Sequence, residues 1–353
     1  MNPAPSLRER IRLVIIFSSK YRSRTSFLPN ILISPQGSNK PNDSHELRLT
    51  VLLNAVCYTL LSPKDYLILS KLRISIVQYL NTAPLVRGFT HGALCGKYDL
   101  SFTVPSQCAE ALRSGAADIA IIPAIEYQRI DNLVVLPDMA IAAKKKVRSL
   151  LLVSKMPVAS VKRIALDCSS RSTQALLRIL CAEHWKISPQ FFEAPPDLTA
   201  MLKDADAALL IGDPALRLSM EIEKGQTVSL NGASQEFHVY DLVEEWRGMT
   251  DLPAVLAVWS ARRNTVTQEL LADFAASREY GMAHIIEISE EAERVLQLPA
   301  AALASYLRDN IDYSLDAENR MGLDDYFARA AALGLIARAK PIEWASAVKV
   351  VAR

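Results

Sequence analysis

From residue 73 onward, short apolar runs alternate with longer amphipathic segments along the chain. The apolar runs are rich in β-branched residues and have the length of strands, at 73–78, 100–105, 118–122 and 133–136. Between them, Ser106 is expected to cap a helix over 106–113, and Gly115 is expected to end it. Strands that alternate with helices predict a mostly parallel sheet with helices on both faces.

A second series with the same alternation follows the segment 147–154, which leads out of the first. Its predicted strands are 163–167, 191–193, 207–211 and 239–241, and its predicted helices are 172–185, 198–203 and 242–248. The apolar run 252–259 is interpreted as a strand that returns to the first series. Further helices are predicted at 265–277, 290–296, 300–310 and 317–335, the last with Met321, Tyr326 and Phe327 in its apolar stripe.

The two series predict an α/β fold of two lobes, joined by two chain crossings that can act as hinges. Lobe I comprises 72–154 and 255–344, with the C-terminal helical segment packed on it, and lobe II comprises 155–254. Small ligands bind at the carboxyl ends of strands in such folds, so the cleft between the lobes is the expected site.

The first 71 residues differ from the rest, because they carry ten of the 40 Lys and Arg residues but only four of the 38 Asp and Glu residues. The segment 49–61 is apolar enough to suggest an export signal. It lies deep in the chain, however, and no small-residue cleavage pattern follows it. We therefore expect 1–71 to be a poorly ordered extension or a translated leader upstream of the true start, with no functional residue before Arg73.

Composition narrows the class of protein. The 353 residues are 50% apolar, which is enough for a sizeable core in about two domains. A net charge of +2 gives no general case for nucleic acid as a partner, and no apolar run is long enough to predict a membrane span. The five cysteines are scattered without a C-x-x-C pair, which argues against disulfides and a zinc site and favours a cytoplasmic protein with reduced thiols.

Polar turns directly follow several predicted strands. In the turn 79–85, Asn81 offers both a donor and an acceptor, and Thr82 can cap the next helix with Pro84 in its first turn. In the turn after 118–122, Glu126 lies in a first helical turn, where the helix dipole favours a carboxylate. On the residues alone, simple turn and helix-start roles explain Asn81 and Glu126.

The turn 168–173 combines hydroxyl groups with the free N–H groups of a helix start, which is typical of an anion site. Arg171 could add a bidentate contact to a carboxylate, although a plain helix cap with a solvated arginine fits equally well. After the strand 207–211, Gly212 allows a tight turn, and Asp213 is expected to cap the helix that Pro214 begins. A catalytic role for Asp213 is the weaker alternative.

Other catalytic signatures are missing from the sequence. It contains no G-x-G-x-x-G, no Walker loop, no G-x-S-x-G and no H-E-x-x-H. The histidines are isolated from one another, and only His238 lies near other polar residues, in a predicted strand. We therefore expect neither a metal nor a nucleotide cofactor.

Five stretches, in order from about Leu72 to Trp344, resemble the chorismate dehydratases of the menaquinone pathway: VQYLNTAPL, AEALRSG–ADIAIIP, SSRSTQALL, DAALLIGDPAL and YDLVEEW–LPAVLAVWSARR. The resemblance implies a type II periplasmic-binding-protein-like fold without export. It also implies a cytoplasmic lyase that converts chorismate to 3-[(1-carboxyvinyl)oxy]benzoate and water, the entry step of the futalosine route.

The resemblance also implies roles for particular residues. Asn81 takes the family's active-site asparagine position, where it touches the substrate and orients the leaving hydroxyl, and the adjoining Thr82 is expected to bind the substrate. A substrate carboxylate is expected to bind the loop residues Ser170, Arg171, Ser172 and Thr173. Asp213 matches the aspartate of the IGD-x-AL turn and is also expected to bind the substrate. Many relatives have a serine where this chain has Pro123-Ala124. Either backbone N–H groups suffice there, or the enolpyruvyl carboxylate of the substrate acts as the base.

Two other functions stay open at this point. A sister enzyme of the same pathway, which releases dihydroxynaphthoate, shares the fold but is expected to need a cleft histidine, and no cleft motif here contains one. A solute-binding protein without chemistry would share the fold as well, and the expected lack of an export signal disfavours it.

Removing residues 1–70 should leave catalytic activity intact, because no functional residue is expected before Arg73. The rate of chorismate consumption by the full chain and by the shortened chain gives the comparison. An unfolded product after the deletion would show instead that the extension is structural.

Overall fold

The computed structural model describes residues 71–223, 229–230, 233–234 and 236–346. The predicted extension therefore lies, apart from Lys71, outside the described residues, and it stays a prediction. No helix in the described part of the chain is long and apolar enough to cross a membrane.

Two five-stranded sheets form the framework, in the strand orders β2-β1-β3-β12-β4 and β11-β5-β8-β6-β7. The strands of the first sheet are β1 Arg73–Val77, β2 Asp99–Thr103, β3 Ile119–Pro123, β4 Leu133–Ala143 and β12 Ala254–Arg262. Those of the second are β5 Leu150–Ser154, β6 Arg163–Asp167, β7 Gln190–Ala194, β8 Ala207–Ile211 and β11 His238–Asp241. The short strands β9 Ser229–Leu230 and β10 Ala233–Ser234 pair with each other.

Each sheet is mostly parallel, as expected, because four of its five strands run in one direction, but each also contains one antiparallel strand, whose direction the sequence did not predict. In the first, β1 runs parallel to β2 and β3, whereas β12 runs antiparallel to β3 and β4. In the second, β6 runs parallel to β7 and β8, whereas β5 runs antiparallel to β8 and β11. The chain leaves the first sheet after β4 and enters the second at β5, and it returns to the first sheet at β12. These two crossing strands are the antiparallel ones.

The strand β5 corrects the predicted boundary between the lobes. The sequence placed 147–154 in the first lobe, but Leu150–Ser154 pairs with β8 on one side and β11 on the other. All five residues of β5 are buried, because a central strand is covered on both faces. The first crossing therefore lies before Leu150, and the return strand β12 begins at Ala254.

Eleven α-helices surround the sheets in the described residues. They are α1 Ala83–Thr90, α2 Pro105–Ser114, α3 Ala124–Arg129, α4 Arg171–Ile179, α5 Leu198–Asp204, α6 Gly212–Glu223, α7 Leu242–Thr250, α8 Gln268–Ala283, α9 Ile285–Leu296, α10 Ala300–Ser305 and α11 Ala317–Ala332. Single π-helical turns, Leu180–His184 and Tyr306–Asn310, continue α4 and α10.

The ends of α2 illustrate which capping predictions hold. Gly115 ends the helix in the left-handed conformation, with φ of 77°, as predicted. Ser106 does not cap it, because the helix already begins at Pro105, a residue that suits the first helical position. The N–H of Ser106 instead donates to the carbonyl oxygen of Ser169, at 3.0 Å, and so links α2 to the loop after β6.

The C-terminal helix α11 packs on β12 of the first sheet and also on α4, which follows a strand of the second sheet. Tyr326 and Phe327 are buried as predicted, but Met321 is 60% exposed. Gly322 and Leu323 take the buried face instead, where Gly322 lies against the carbonyl oxygen of Pro253. The predicted stripe was therefore displaced at its N-terminal end.

A close approach of two helices depends on Gly281 of α8. A β-carbon at Gly281 would overlap the carbonyl group of Pro84 in α1, and α8 and α1 pack along each other. Gly88 of α1 approaches Ser277 of α8 in the same way, and the Ser277 hydroxyl donates to the carbonyl oxygen of Leu85, at 2.9 Å. Small residues thus allow α1, which follows the Asn81 turn, to lie directly on α8.

Gly281→Ala should destabilise the fold by about 1–3 kcal/mol, since overpacking forces the two helices apart. Gly248→Ala is the matched control, because Gly248 lies in α7 with open space around its α-carbon, and alanine is the better helix former by about 1 kcal/mol. Denaturant unfolding of both variants measures the difference. Equal free energies of unfolding for the two variants would contradict this packing.

Candidate active site

A small cavity of about 50 Å³ lies between the two sheets. Its wall combines Val77 and Pro123 at the ends of first-sheet strands with Ile211 at the end of β8. The polar side chains on the wall are Tyr79, Asn81, Ser149, Ser170 and Thr173. The sequence-predicted residues Asn81, Ser170 and Thr173 therefore do meet at one place.

Four helices of eight or more residues begin at this cavity. Asn81 lies in the 3-10 turn before α1, Pro105 is the first residue of α2, Ser170 is the N-cap of α4 and Gly212 is the first residue of α6, and all four residues line the wall. The free N–H groups of a helix start carry partial positive charge. No Lys, Arg, Asp, Glu or His is among the described residues that line the cavity. The site is thus suited to an anion held by amides and hydroxyls.

The Asn81 side chain is held by its neighbour. The Thr82 hydroxyl donates to Asn81 Oδ1 at 3.3 Å, and Thr82 is only 1% exposed. Thr82 makes no side-chain cap for α1, so the predicted capping role was wrong. Its hydroxyl is directed to the asparagine because Thr82 itself has helical backbone angles, whereas a capping residue is usually extended.

In the segment 170–173, two side chains face the cavity and two face the neighbouring helix α3. Ser170 caps α4 by accepting from the N–H of Thr173, and the two hydroxyls lie 2.9 Å apart at the cavity wall. Ser172 points elsewhere, and its hydroxyl accepts from the N–H of Ile125 at 3.0 Å. Neither Arg171 nor Ser172 lines the cavity, because successive helical residues point in different directions. Their side chains lie outside this cavity, and their contact with substrate stays a prediction.

Arg171 pairs with a buried carboxylate. Its Nη1 lies 3.1 Å from Oε2 of Glu126, which is 0% exposed and also pairs with Arg113 and Arg129. Burial alone would raise the pKa of Glu126, but the arginines outweigh it and hold the pKa below its usual range. Glu126 is therefore a charged core residue that links α2, α3 and α4, and it keeps Arg171 occupied.

Asp213 connects the two sides of the cleft rather than capping its helix. Because α6 already begins at Gly212, Asp213 lies inside its first turn, and its Oδ1 accepts from the N–H of Leu80 at 3.1 Å. Burial raises the pKa of Asp213 to about 6, although the Leu80 N–H and the charge of Arg217 oppose this. Asp213 does not line the cavity.

The sequence analysis missed Ser149 and Tyr79, which both line the cavity. Ser149 directly precedes β5, is 1% exposed, and its carbonyl oxygen accepts from the N–H of Gly212 at 2.8 Å. The Tyr79 ring lies against Gly212, where a β-carbon would come within 2.8 Å of the ring and φ is 65°. A polar residue at the start of a buried strand was the available signal for Ser149, whereas nothing in the sequence marked the contact between Tyr79 and Gly212.

The Tyr79 hydroxyl also reaches across the cleft, to 3.2 Å from Ser169 Oγ. Ser169 in turn donates to Asp167 Oδ1 at 2.6 Å, and Asp167 is 0% exposed. Burial raises the pKa of Asp167 and of Tyr79. These contacts hold the loop after β1 against the loop after β6.

Two lobes, chain crossings between mixed sheets and a cavity at the strand ends define the class of periplasmic-binding-protein-like folds. Solved structures agree with this class. A protein from Archaeoglobus fulgidus is similar with a TM-score of 0.59 and 19% identity, over 75% of this chain and 98% of its own. The periplasmic aliphatic sulphonate-binding protein of Escherichia coli is similar with a TM-score of 0.52 and 18% identity, over 80% of this chain and 96% of its own.

Comparison of the sequence with known families identifies one family within that fold class. Residues 72–332 match the menaquinone biosynthesis family, and the chain belongs to this family. The chorismate dehydratase of Thermus thermophilus is 30% identical over 267 residues, which cover 74% of this chain and 95% of that protein.

Asp213→Asn should remove a pH dependence of stability, since asparagine keeps an acceptor oxygen for Leu80 but does not titrate. With its pKa raised to about 6 from 3.8, Asp213 favours folding fully below pH about 4, and this contribution is lost as the pH rises through about 6. The wild type should therefore lose stability relative to the variant over that range, by less than ~3 kcal/mol because Asp213 is partly exposed. Urea unfolding of both proteins at a series of pH values measures this, and a pH-independent difference would contradict it.

Proposed function

We propose that this chain is a chorismate dehydratase, which converts chorismate to 3-[(1-carboxyvinyl)oxy]benzoate and water in menaquinone biosynthesis. The observation that carries the proposal is the cavity whose wall joins Asn81, Ser149, Ser170 and Thr173 at the starts of several helices. Chorismate is a dicarboxylate, and helix starts with hydroxyl side chains are suited to bind carboxylates. The similarity to the Thermus thermophilus enzyme supports the same activity.

The reaction needs little from the protein beyond orientation. One ring carbon loses a proton, its C–H electron pair forms the new ring double bond, and the neighbouring carbon loses its hydroxyl group, so proton and hydroxide leave together as water. The ring becomes aromatic, which supplies the driving force. The protein's part is to hold the ring and to stabilise the departing hydroxyl by hydrogen bonds.

Each polar residue of the wall takes a part in this scheme. The start of α4, with Ser170 and Thr173, holds one carboxylate through hydroxyl and backbone N–H donors. Asn81 donates to the departing hydroxyl from the side of α1. Ser149 supplies a hydroxyl on the wall, in a chain whose Pro123-Ala124 turn has none.

The wall also bears on the identity of the base. The described lining residues include no carboxylate, imidazole or amine. A proton acceptor near the ring then comes from the substrate itself, whose enolpyruvyl carboxylate lies next to the carbon that loses the proton. This scheme uses no metal and no nucleotide cofactor, and its reaction is that of a carbon-oxygen lyase. A cytoplasmic location is part of the same proposal, since the pathway is biosynthetic.

The lobes must separate before a substrate can enter. The cavity of about 50 Å³ is smaller than the ~300 Å³ at the lower end of small-molecule sites. Bonds between the lobes hold the cavity closed, and they include Leu80 to Asp213, Tyr79 to Ser169, Ser106 to Ser169 and Ile125 to Ser172. Opening about the two crossings breaks these bonds, and closure over the substrate restores them and excludes water.

Asn81→Ala should lower kcat/KM for chorismate by about 10²-fold or more, because it removes a donor to the departing hydroxyl. Asn264→Ala is the matched control, since Asn264 is exposed in a 3-10 turn and does not line the cavity. Mass spectrometry of product formation gives the rates, and thermal unfolding should show both variants folded.

The same assay separates the remaining functions. Wild-type protein that binds chorismate without consuming it would indicate a solute-binding protein. Wild-type protein that leaves chorismate unbound and unchanged, but releases dihydroxynaphthoate from a cyclised futalosine derivative, would indicate the sister enzyme. Either result would overturn the proposal.

A further inference from the structure

We propose that Tyr306 and Thr82 are positioning residues that hold the side-chain amide of Asn81 in one orientation. The inference rests on the proposed function, in which Asn81 acts on the departing hydroxyl. It assigns a task to Tyr306, a residue of the C-terminal half of the chain that does not itself line the cavity. It also changes the task of Thr82 from substrate binding to the support of its neighbour.

Tyr306 lies directly behind the cavity wall. It is 1% exposed and begins the π-helical turn Tyr306–Asn310, a kind of turn that is frequent at functional sites. Its hydroxyl donates to Ser149 Oγ at 2.9 Å, and Ser149 lines the cavity together with Asn81. The phenol is therefore anchored to one wall residue at a fixed distance.

The Asn81 side chain approaches the same phenol. Burial raises the pKa of Tyr306, and hydrogen bonding between its hydroxyl and the side chains of Ser149 and Asn81 opposes this rise. On the other side of the amide, the Thr82 hydroxyl donates to Asn81 Oδ1 at 3.3 Å. Asn81 thus lies between two buried hydroxyl groups that belong to distant parts of the chain.

Hydrogen-bond directions decide which way the amide faces. A tyrosine hydroxyl has one hydrogen, and Tyr306 gives it to Ser149, so its oxygen is left to accept from the Asn81 NH₂ group. Thr82 donates to the amide oxygen. Turning the amide over would put its oxygen against the Tyr306 oxygen, with no hydrogen between them. One orientation is therefore favoured, and it leaves a second N–H of Asn81 for the substrate.

The structure offers a matched control for the tyrosine. Tyr313 is also buried, at 5% exposed, but its hydroxyl has no hydrogen-bond partner among the described residues. Removing either hydroxyl deletes one oxygen from a packed core. Only the hydroxyl of Tyr306 reaches the amide, so a purely structural role predicts no selective loss of turnover for Tyr306→Phe.

The test compares Tyr306→Phe with Tyr313→Phe, and Thr82→Val with Thr82→Ser, by kcat and KM for chorismate. Tyr306→Phe and Thr82→Val should each lower kcat about tenfold or more, with KM changed less than about threefold, because a misoriented donor weakens the transition state rather than binding. Tyr313→Phe should keep the wild-type kcat. Thr82→Ser, which retains the hydroxyl, should recover most of the rate that Thr82→Val loses.

A double variant tests whether Tyr306 acts through Asn81. Adding Tyr306→Phe to Asn81→Ala should lower kcat far less than Tyr306→Phe lowers it in the wild type, since the amide to be oriented is already gone. Losses that multiply, or a Tyr306→Phe kcat equal to that of Tyr313→Phe, would overturn the inference. If Tyr306→Phe does not fold, the Thr82 pair decides alone, and equal kcat for Thr82→Val and Thr82→Ser would overturn it. Wild-type protein without any dehydration of chorismate would instead overturn the proposed function.

Discussion

Partial positive charge from helix starts is the interaction on which this site depends. Four helices begin at the cavity, two after strands of the first sheet and two after strands of the second. The described residues that line the cavity carry no formal charge. Backbone N–H groups are fixed by the helices they open, so they attract a carboxylate without the cost of ordering long side chains. Because no charged side chain of the described residues lines the cavity, a ligand carboxylate forms no ion pair there. A nearby cation would lower the pKa of that carboxylate and make it a weaker base.

The ion-pair cluster at Glu126 complements this arrangement. Three arginines surround one fully buried carboxylate, and together they tie α3 to α2 and α4. Because the pKa of Glu126 is lowered in the fold, the cluster contributes stability at neutral pH and loses it only in acid. The cluster therefore ties the starts of α3 and α4 to the C-terminal end of α2, and it keeps the guanidinium of Arg171 away from the cavity. Breaking it would leave a buried charge unpaired, which is costly.

Much of the fold could be predicted from the sequence, because strand periodicity is a local property. The strands β6 and β8 have the predicted bounds, and Asn81, Ser170 and Thr173 meet at the strand ends as expected. The antiparallel crossing strands were not predictable, since an apolar run such as Leu150–Ser154 has the same pattern in either sheet and in either direction. The apolar pattern of a helix can mislead in a similar way, because Met321 was assigned to the buried face but is exposed.

The site residues that the sequence could not identify depend on tertiary contacts. Arg171 suited an anion site in its local context, but its partner Glu126 is 45 residues away in the chain. Tyr306 lies 157 residues from Ser149, so no motif could join them. Asp213 had a simple capping explanation, and only the fold revealed that Leu80 is its partner. In each case the backbone element was foreseen, and the direction of the side chain was decided by a distant part of the chain.

A crystal structure with 3-[(1-carboxyvinyl)oxy]benzoate bound would test the central claim most directly. The account predicts a carboxylate about 3 Å from the N–H groups at the start of α4 and from the Ser170 and Thr173 hydroxyls, with Arg171 still paired to Glu126. A ligand carboxylate held by Arg171, with the Glu126 pair broken, would contradict it, and so would a ligand bound outside the cavity.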